Sequence, residues 1–322
     1  MILTISCNKR VGYQYFEGPV FGTGFHITYE TAKGRNYEKE IMVLLNEVNR
    51  SLSTYDSLSV ISRVNRNDPG VKPDGHFMRV FEKAFEVSER SGGAFDITVA
   101  PLVNAWGFGF TRKEQISSGL IDSILTFTGY HKVKIERDRL VKEDPRMMLD
   151  ASAIAKGYGV DVVAEWLETK GVKNYLVEIG GELRCKGINS RGTPWRVGVD
   201  KPVENILERE IQEVLEISGH SMATSGNYRQ FYVENGVKYS HTIDPKTGYP
   251  ARSNLLSATV LAPDCMTADA WATAFMVLGI EGSTDLYPSI SGIEVFFIFS
   301  DSAGTLQEYS SPGLLKFRDP AY

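Results

Sequence analysis

Apolar positions recur along the chain with a helical period in three places. Ile41, Leu44, Leu45 and Val48 keep the i, i+3, i+4, i+7 spacing that lines one helix face, predicting a helix over 37–51. Phe77, Val80, Phe81 and Ala84 repeat it over 76–90, and Gly92-Gly93 supplies the stop. Val160, Val163, Ala164 and Leu167 form a third stripe over 155–169, ended by Gly171. Strand-like runs lie between and after these helices. They are GTGFHITY (22–29), YLVEI (175–179) running into Gly180-Gly181, WRVGV (195–199) and LLSATVLA (255–262). RQFYVENGVKYSHTI (229–243) reads as a hairpin about Asn235-Gly236, a strong short-range turn signal. IEVFFIFS and LQEYS form a last hairpin about Asp301–Gly304. Helices and hairpins interleave without regular βαβ alternation. That predicts an α+β fold with mixed, mainly antiparallel sheets flanked by helices.

Neither repeats, low-complexity tracts nor a long Pro/Gly linker divide the chain, so residues 21–322 are expected to form a single domain behind an N-terminal segment, 1–20. That segment opens MILTISCNKR and reads in two ways. One is the stub of a lipoprotein signal, with Cys7 as the lipid-bearing residue and anchor. The other is a frayed first strand. A complete signal needs a charged start and a longer apolar stretch, and this one has neither.

Composition narrows the function classes. With 42% hydrophobic, 11% aromatic and 23% charged residues over 322 positions, a core can be built and disorder is not implied. Lys+Arg 35 against Asp+Glu 40 gives a net charge of −5, so no basic footprint for nucleic acid exists. An anionic ligand needs local help from a metal, a lysine or helix N-termini. The three cysteines fit neither a zinc site nor a disulfide framework, and the five histidines form no H-E-x-x-H. No apolar run reaches the length of a membrane span.

Several stretches carry polar or glycine residues that a core does not need. In FGTGF (21–25) two glycines flank Thr23, either as a plain turn or to let backbone approach a ligand. Asp96 sits in an apolar, strand-like run of GGAFDITVAPLVNAWGFG (92–109), where its carboxylate wants turn N–H groups or a ligand's N–H edge. LDASAIAKGYGVD (149–161) enters a helix. Its N–H groups and Lys156 either face an anion or belong to a capped helix with a solvated lysine. In SHTIDPKTGYP (240–250), His241 lies on a strand, expected to pair across the hairpin with Ser225-Gly226 of ATSGNYRQ (223–230); the plain alternative is a packed core histidine. In ADAWATAFM (268–276), Asp269 and Thr273 stand one turn apart on the same helix face. They either cap and back-bond, or join a carbonyl from elsewhere in an all-oxygen site suited to Mg²⁺.

Together these motifs resemble the FAD:protein FMN transferases, the ApbE family, in order from Gly22 to about Leu278. The resemblance rests on GTGF, LSTYDSLSVISRVN, GAFDITVAPLVNAWGFG, DASAIAKGYGVD, YLVEIGGELRCKG, WRVGVDKP, SGNYRQFY, SHTIDPKTGYP and ADAWATAFMVLG. It implies a T-fold-like domain with an FAD cleft between two lobes. It also implies Mg²⁺-dependent transfer of FMN from FAD to a Ser or Thr hydroxyl of a target protein, with release of AMP. The implied acceptors are redox-pump subunits on the periplasmic side of the bacterial inner membrane. By the same resemblance the metal ligands fall on Asp269, Thr273 and the Ala153 carbonyl. The FAD contacts fall on Phe21, Tyr55, Asp96, Lys156 and Ile243, with Ser225 and Gly226 set beside them. His241 is the expected acid/base group, with Asp269 as the second catalytic residue. Phe21 departs from the methionine that many members carry. Two other functions fit the same residues: an FAD pyrophosphatase, with water as nucleophile, and a non-catalytic flavin binder. A bulky Tyr55 leans against the first, and retained Asp269, Thr273 and His241 against the second.

Overall fold

The structure is a computed structural model that describes residues 11–32, 34–110, 114–202, 210–227, 231–234 and 237–320. It opens on a hairpin. β1 (Val11–Val20) pairs antiparallel with β2 (Thr23–Ala32), from Val11↔Ala32 to Val20↔Thr23. The two turn residues, Phe21 and Gly22, both have positive φ (50° and 75°), the left-handed pair of a two-residue type I′ turn. Residues 11–20 therefore belong to the sheet as an edge strand, and do not precede the domain as the sequence reading has it. Cys7 lies outside the described residues.

Helices α1 (Glu38–Leu52), α2 (Val60–Asn65), α3 (Gly75–Arg90), α4 (Ala100–Ala105) and α5 (Ser118–Leu125) follow, then a small hairpin, β3 (Val133–Glu136) and β4 (Arg139–Lys142). After α6 (Ala155–Thr169) come β5 (Tyr175–Ile179), β6 (Glu182–Lys186), β7 (Trp195–Asp200), β8 (Ile211–Ile217) and β9 (His220–Gly226). The chain ends through β10 (Phe231–Glu234), β11 (Val237–Ser240), β12 (Leu255–Ala262), α7 (Cys265–Leu286), β13 (Glu294–Ser300) and β14 (Leu306–Ser310). Eight strands form one sheet in the order β1-β2-β5-β6-β9-β12-β13-β14. Its neighbours pair antiparallel throughout, as expected for the α+β class. β10 and β11 pair about residues 235–236, which lie outside the described set.

Strand alternation divides the sheet's side chains between two layers. Phe25, Ile27 and Tyr29 of β2 and Tyr175, Val177 and Ile179 of β5 pack on Ile41 and Leu45 of α1 and on Val160, Val163 and Leu167 of α6. Further along, Val260 of β12 and Val295 and Phe297 of β13 share a core with Trp271 and Phe275 of α7 and Phe77, Phe81 and Val87 of α3. The remaining positions, among them Leu183, Cys185, Phe296 and Ile298, pack instead against the β7–β8 hairpin through Trp195, Val197, Leu215 and Ile217. This explains why IEVFFIFS is apolar without alternation: both of its faces are covered. α6 is likewise wedged between two cores, with Tyr158 and Val162 in one and Val160, Val163 and Leu167 in the other.

The run after Asp96 is not a strand. Ile97–Val99 is a 3₁₀ turn that leads into α4. Among the described residues no helix is long and apolar enough to cross a membrane.

Candidate active site

The N-terminus of α6 has no cap of its own. The residue before it, Ile154, places no side-chain oxygen on the first N–H groups. The need is met from α7: Asp269 Oδ2 accepts the Gly157 N–H at 2.9 Å. That N–H belongs to the first turn of α6, whose donors have no partner within the helix itself. In return, Asp161 on α6 accepts the N–H groups of Cys265 (2.9 Å) and Met266 (2.8 Å) at the start of α7. The helices meet this closely because position 157 is glycine. A Cβ there would overlap the Cys265 carbonyl oxygen and lie 2.8 Å from Asp269 Cβ.

β6 closes the junction from the sheet. Glu182 and Arg184, two residues apart, point to the helix face. Glu182 Oε1 accepts from Lys156 Nζ at 2.6 Å, and Arg184 donates to Asp161 at 2.9 Å. Lys156 Nζ also lies 3.9 Å from Asp269 Oδ1. Burial pulls the Lys156 ammonium down, but Asp269 and Glu182 outweigh it and hold the pKa above the ordinary lysine value. Burial pushes the Glu182 carboxyl above the usual glutamate range, against the pull of Lys156. Glu182 Oε2 is buried with no hydrogen-bond partner among the described residues. Thr23 and the stem of Lys156 both lie against Gly180, so the FGTGF turn reaches the same place. The Phe21 ring packs over Gly159 on α6.

One turn beyond Asp269, the Thr273 hydroxyl lies 3.3 Å from that of Ser225 at the end of β9. Thus Lys156 lies beside Asp269 and Ser225 beside Thr273 one turn further along α7, with Phe21 against Gly159 of α6 and Ala153 just before that helix. The anion at the α6 N-terminus, which the sequence leaves open, includes the protein's own Asp269 carboxylate.

Other expected site residues stand differently. Both Asp96 oxygens already hold protein donors: Oδ1 accepts the Thr98 N–H and hydroxyl, each at 2.7 Å, and Oδ2 the Tyr130 N–H at 2.7 Å. Burial raises its pKa. Tyr55 is 75% exposed. His241 follows β11 and packs edge-on to Phe108 at a centroid distance of 6.5 Å. Ser225 and Gly226 pair with Ala258 and Ser257 of β12. Ile243 is buried and bridges to Pro250. The sequence reading missed Glu182 altogether. The signal was present in ELRCK, where charges alternate with Leu183 and Cys185, but that pattern equally describes a strand with one solvated face.

A hard cation fits these groups. Among the described residues no hydrogen bond falls on Asp269 Oδ1, Thr273 offers a hydroxyl one turn away, and Ala153, just before α6, offers a carbonyl.

A model of the ApbE family matches residues 21–297. An FAD:protein FMN transferase of Vibrio cholerae is 38% identical over 98% of this chain and 96% of its own length. Its namesake in Haemophilus influenzae is 36% identical over 95% and 92%. Among solved structures, the flavin transferase ApbE from Vibrio cholerae superposes with a TM-score of 0.86 at 37% identity, covering 95% of this chain and 99% of the other. The apo flavinyl transferase ApbE of Pseudomonas stutzeri gives 0.85 at 33% identity, covering 95% and 97%. With the match spanning most of its length in both sequence and fold, this chain belongs to the ApbE family.

Proposed function

We propose that the protein is an FAD:protein FMN transferase that moves FMN from FAD onto a Ser or Thr hydroxyl of an acceptor protein, with Mg²⁺ at the pyrophosphate and AMP as the leaving product. The observation that carries the reading is the hydrogen bond from the Gly157 N–H to Asp269 Oδ2, which fixes that carboxylate at the start of α6 with Oδ1 turned toward Lys156. Asp269, Thr273 and Ala153 would hold the ion, which supplies charge stabilisation to the phosphate oxygens.

The chain's own residues supply the rest. Transfer of this kind depends mainly on positioning and charge. Glu182 and Asp269 both face Lys156, so its ammonium is largely matched before substrate arrives and Lys156 cannot neutralise the pyrophosphate alone. The acceptor oxygen forms its bond to the FMN phosphorus as the bond from that phosphorus to the bridging oxygen breaks. The electron pair of that bond leaves with AMP. His241 is the proposed acceptor of the hydroxyl proton. Phe21, over α6, and Ile243 are proposed to contact the flavin nucleotide, with Tyr55 and Asp96 as outer contacts. The proposed acceptor is a redox-pump subunit on the periplasmic side of the inner membrane, as the motif resemblance implies.

The test is incubation of the protein with FAD, Mg²⁺ and a threonine-containing acceptor, followed by flavin fluorescence in a denaturing gel and nucleotide chromatography. Labelled acceptor with stoichiometric AMP is expected. Free FMN and AMP without label would make the protein a pyrophosphatase, and unchanged FAD a flavin binder.

A further inference from the structure

The two ion pairs between β6 and α6 look alike in sequence, but only one of them is complete. Asp161 uses both oxygens, on the N–H groups of Cys265 and Met266 and on Arg184. Its role in holding α6, α7 and β6 together is fully accounted for. Glu182 is as deeply buried, with 5% of its side chain exposed, yet uses only Oε1 on Lys156 and leaves Oε2 without a partner among the described residues. A buried, half-satisfied carboxylate is expensive and calls for an explanation beyond packing.

The third member of the group supplies one. Lys156 stands between two buried carboxylates, at 2.6 Å from Glu182 and 3.9 Å from Asp269. One ammonium between two carboxylates leaves the group a net negative charge, and the nearer carboxylate takes the short contact. Were Glu182 neutral, the ammonium would have one anionic partner left. Closing the 3.9 Å gap would then place it on Asp269 Oδ1, the oxygen that a divalent ion needs.

We propose that Glu182 is a positioning residue of the transfer site, which holds the Lys156 ammonium off Asp269 and so keeps that carboxylate open to a divalent cation. The inference rests on the function proposed above and adds a residue and a role to it. Glu182 acts through Lys156, and it sets the demand for metal more than the affinity for FAD.

A double-mutant cycle tests it. Glu182→Gln, Lys156→Met and the double variant are compared with the unmodified protein in two assays. One is the Mg²⁺ concentration giving half-maximal FMN transfer. The other is Mg²⁺ binding to the FAD-free protein, followed by calorimetry and independent of turnover. Glu182→Gln is expected to raise the half-maximal Mg²⁺ concentration and the Mg²⁺ dissociation constant by about tenfold each while FAD affinity at saturating Mg²⁺ stays within about threefold. Removing Lys156 as well should erase most of that rise, because no ammonium remains to occupy Asp269. An unshifted Mg²⁺ demand in Glu182→Gln, or shifts that simply add in the double variant, would overturn the proposal. Should Glu182→Gln fail to fold, Glu182→Asp keeps the charge with a shorter reach and is expected to raise the demand less, in the same direction; no rise there counts against the proposal. A parent protein that shows no Mg²⁺-dependent transfer defeats the functional reading. A Mg²⁺-dependent parent with an unshifted variant defeats only this inference.

Discussion

Asp161 and Asp269 cap each other's helices. Asp161 on α6 receives the first N–H groups of α7, at Cys265 and Met266, and Asp269 on α7 receives the Gly157 N–H at the start of α6. Each carboxylate sits at the positive end of the other's helix dipole. The arrangement fixes Asp269 from both directions without consuming Oδ1.

Asp269→Asn separates the two duties of this side chain. An asparagine carbonyl can still accept the Gly157 N–H, so the loss of stability should stay within about 1 kcal/mol. Transfer activity should vanish with the charge, and FAD affinity should fall only in part. Enzyme assays beside urea unfolding check this. Full activity in the variant, or undiminished activity in EDTA, would remove the metal site.

The same substitution should act with opposite sign at two helical glycines. Gly157→Ala drives a Cβ into the Cys265 carbonyl and Asp269, and should destabilise by about 3 kcal/mol despite the better helix propensity. At Gly119 on α5 a Cβ meets nothing within 4 Å, and alanine there should stabilise by about 0.5–1 kcal/mol. Paired urea titrations decide both.

His241→Ala should lower the rate of transfer strongly and leave FAD binding nearly unchanged, if this ring takes the hydroxyl proton. The pH–rate profile should lose its acidic limb. A variant with a normal profile would exclude His241 from the chemistry.

Lys142 offers a pH test far from the site. Its ammonium donates to the Asn67 side chain and to the carbonyls of Met147 and Asn65, all neutral oxygens. Burial lowers its pKa to about 8 from 10.5. A depressed amine binds fewer protons folded than unfolded between those values, so stability should rise as pH climbs from about 8 to about 10.5. Denaturation at stepped pH should show the rise, and Lys142→Gln should flatten it.

Much of this was legible in the chain because local pattern and tertiary burial agreed. The stripe Val160, Val163, Ala164, Leu167 marks a helix whose bounds match α6, and YLVEI and LLSATVLA match β5 and β12. Where they disagreed, the reading slipped. β1 carries Gly12, Gly18 and Pro19, residues that argue against a central strand but are tolerated at an edge. The run after Asp96 is rich in β-branched residues, and the overlooked helix signal was Pro101 in the first turn of α4. Asp269 and Thr273 stood out because two oxygens on an apolar helix are conspicuous. Glu182 did not, because its partner lies 26 positions away and only the packing of α6 on β6 turns an ordinary strand glutamate into a buried one.

The hydrogen bond from Gly157 to Asp269 gives the molecule a built-in reporter. Because one first-turn amide proton rests on a carboxylate wanted by a cation, its nuclear magnetic resonance shift and its deuterium exchange rate register how tightly that carboxylate is engaged. Occupancy at the junction becomes readable from the backbone, in the dark and without any flavin present.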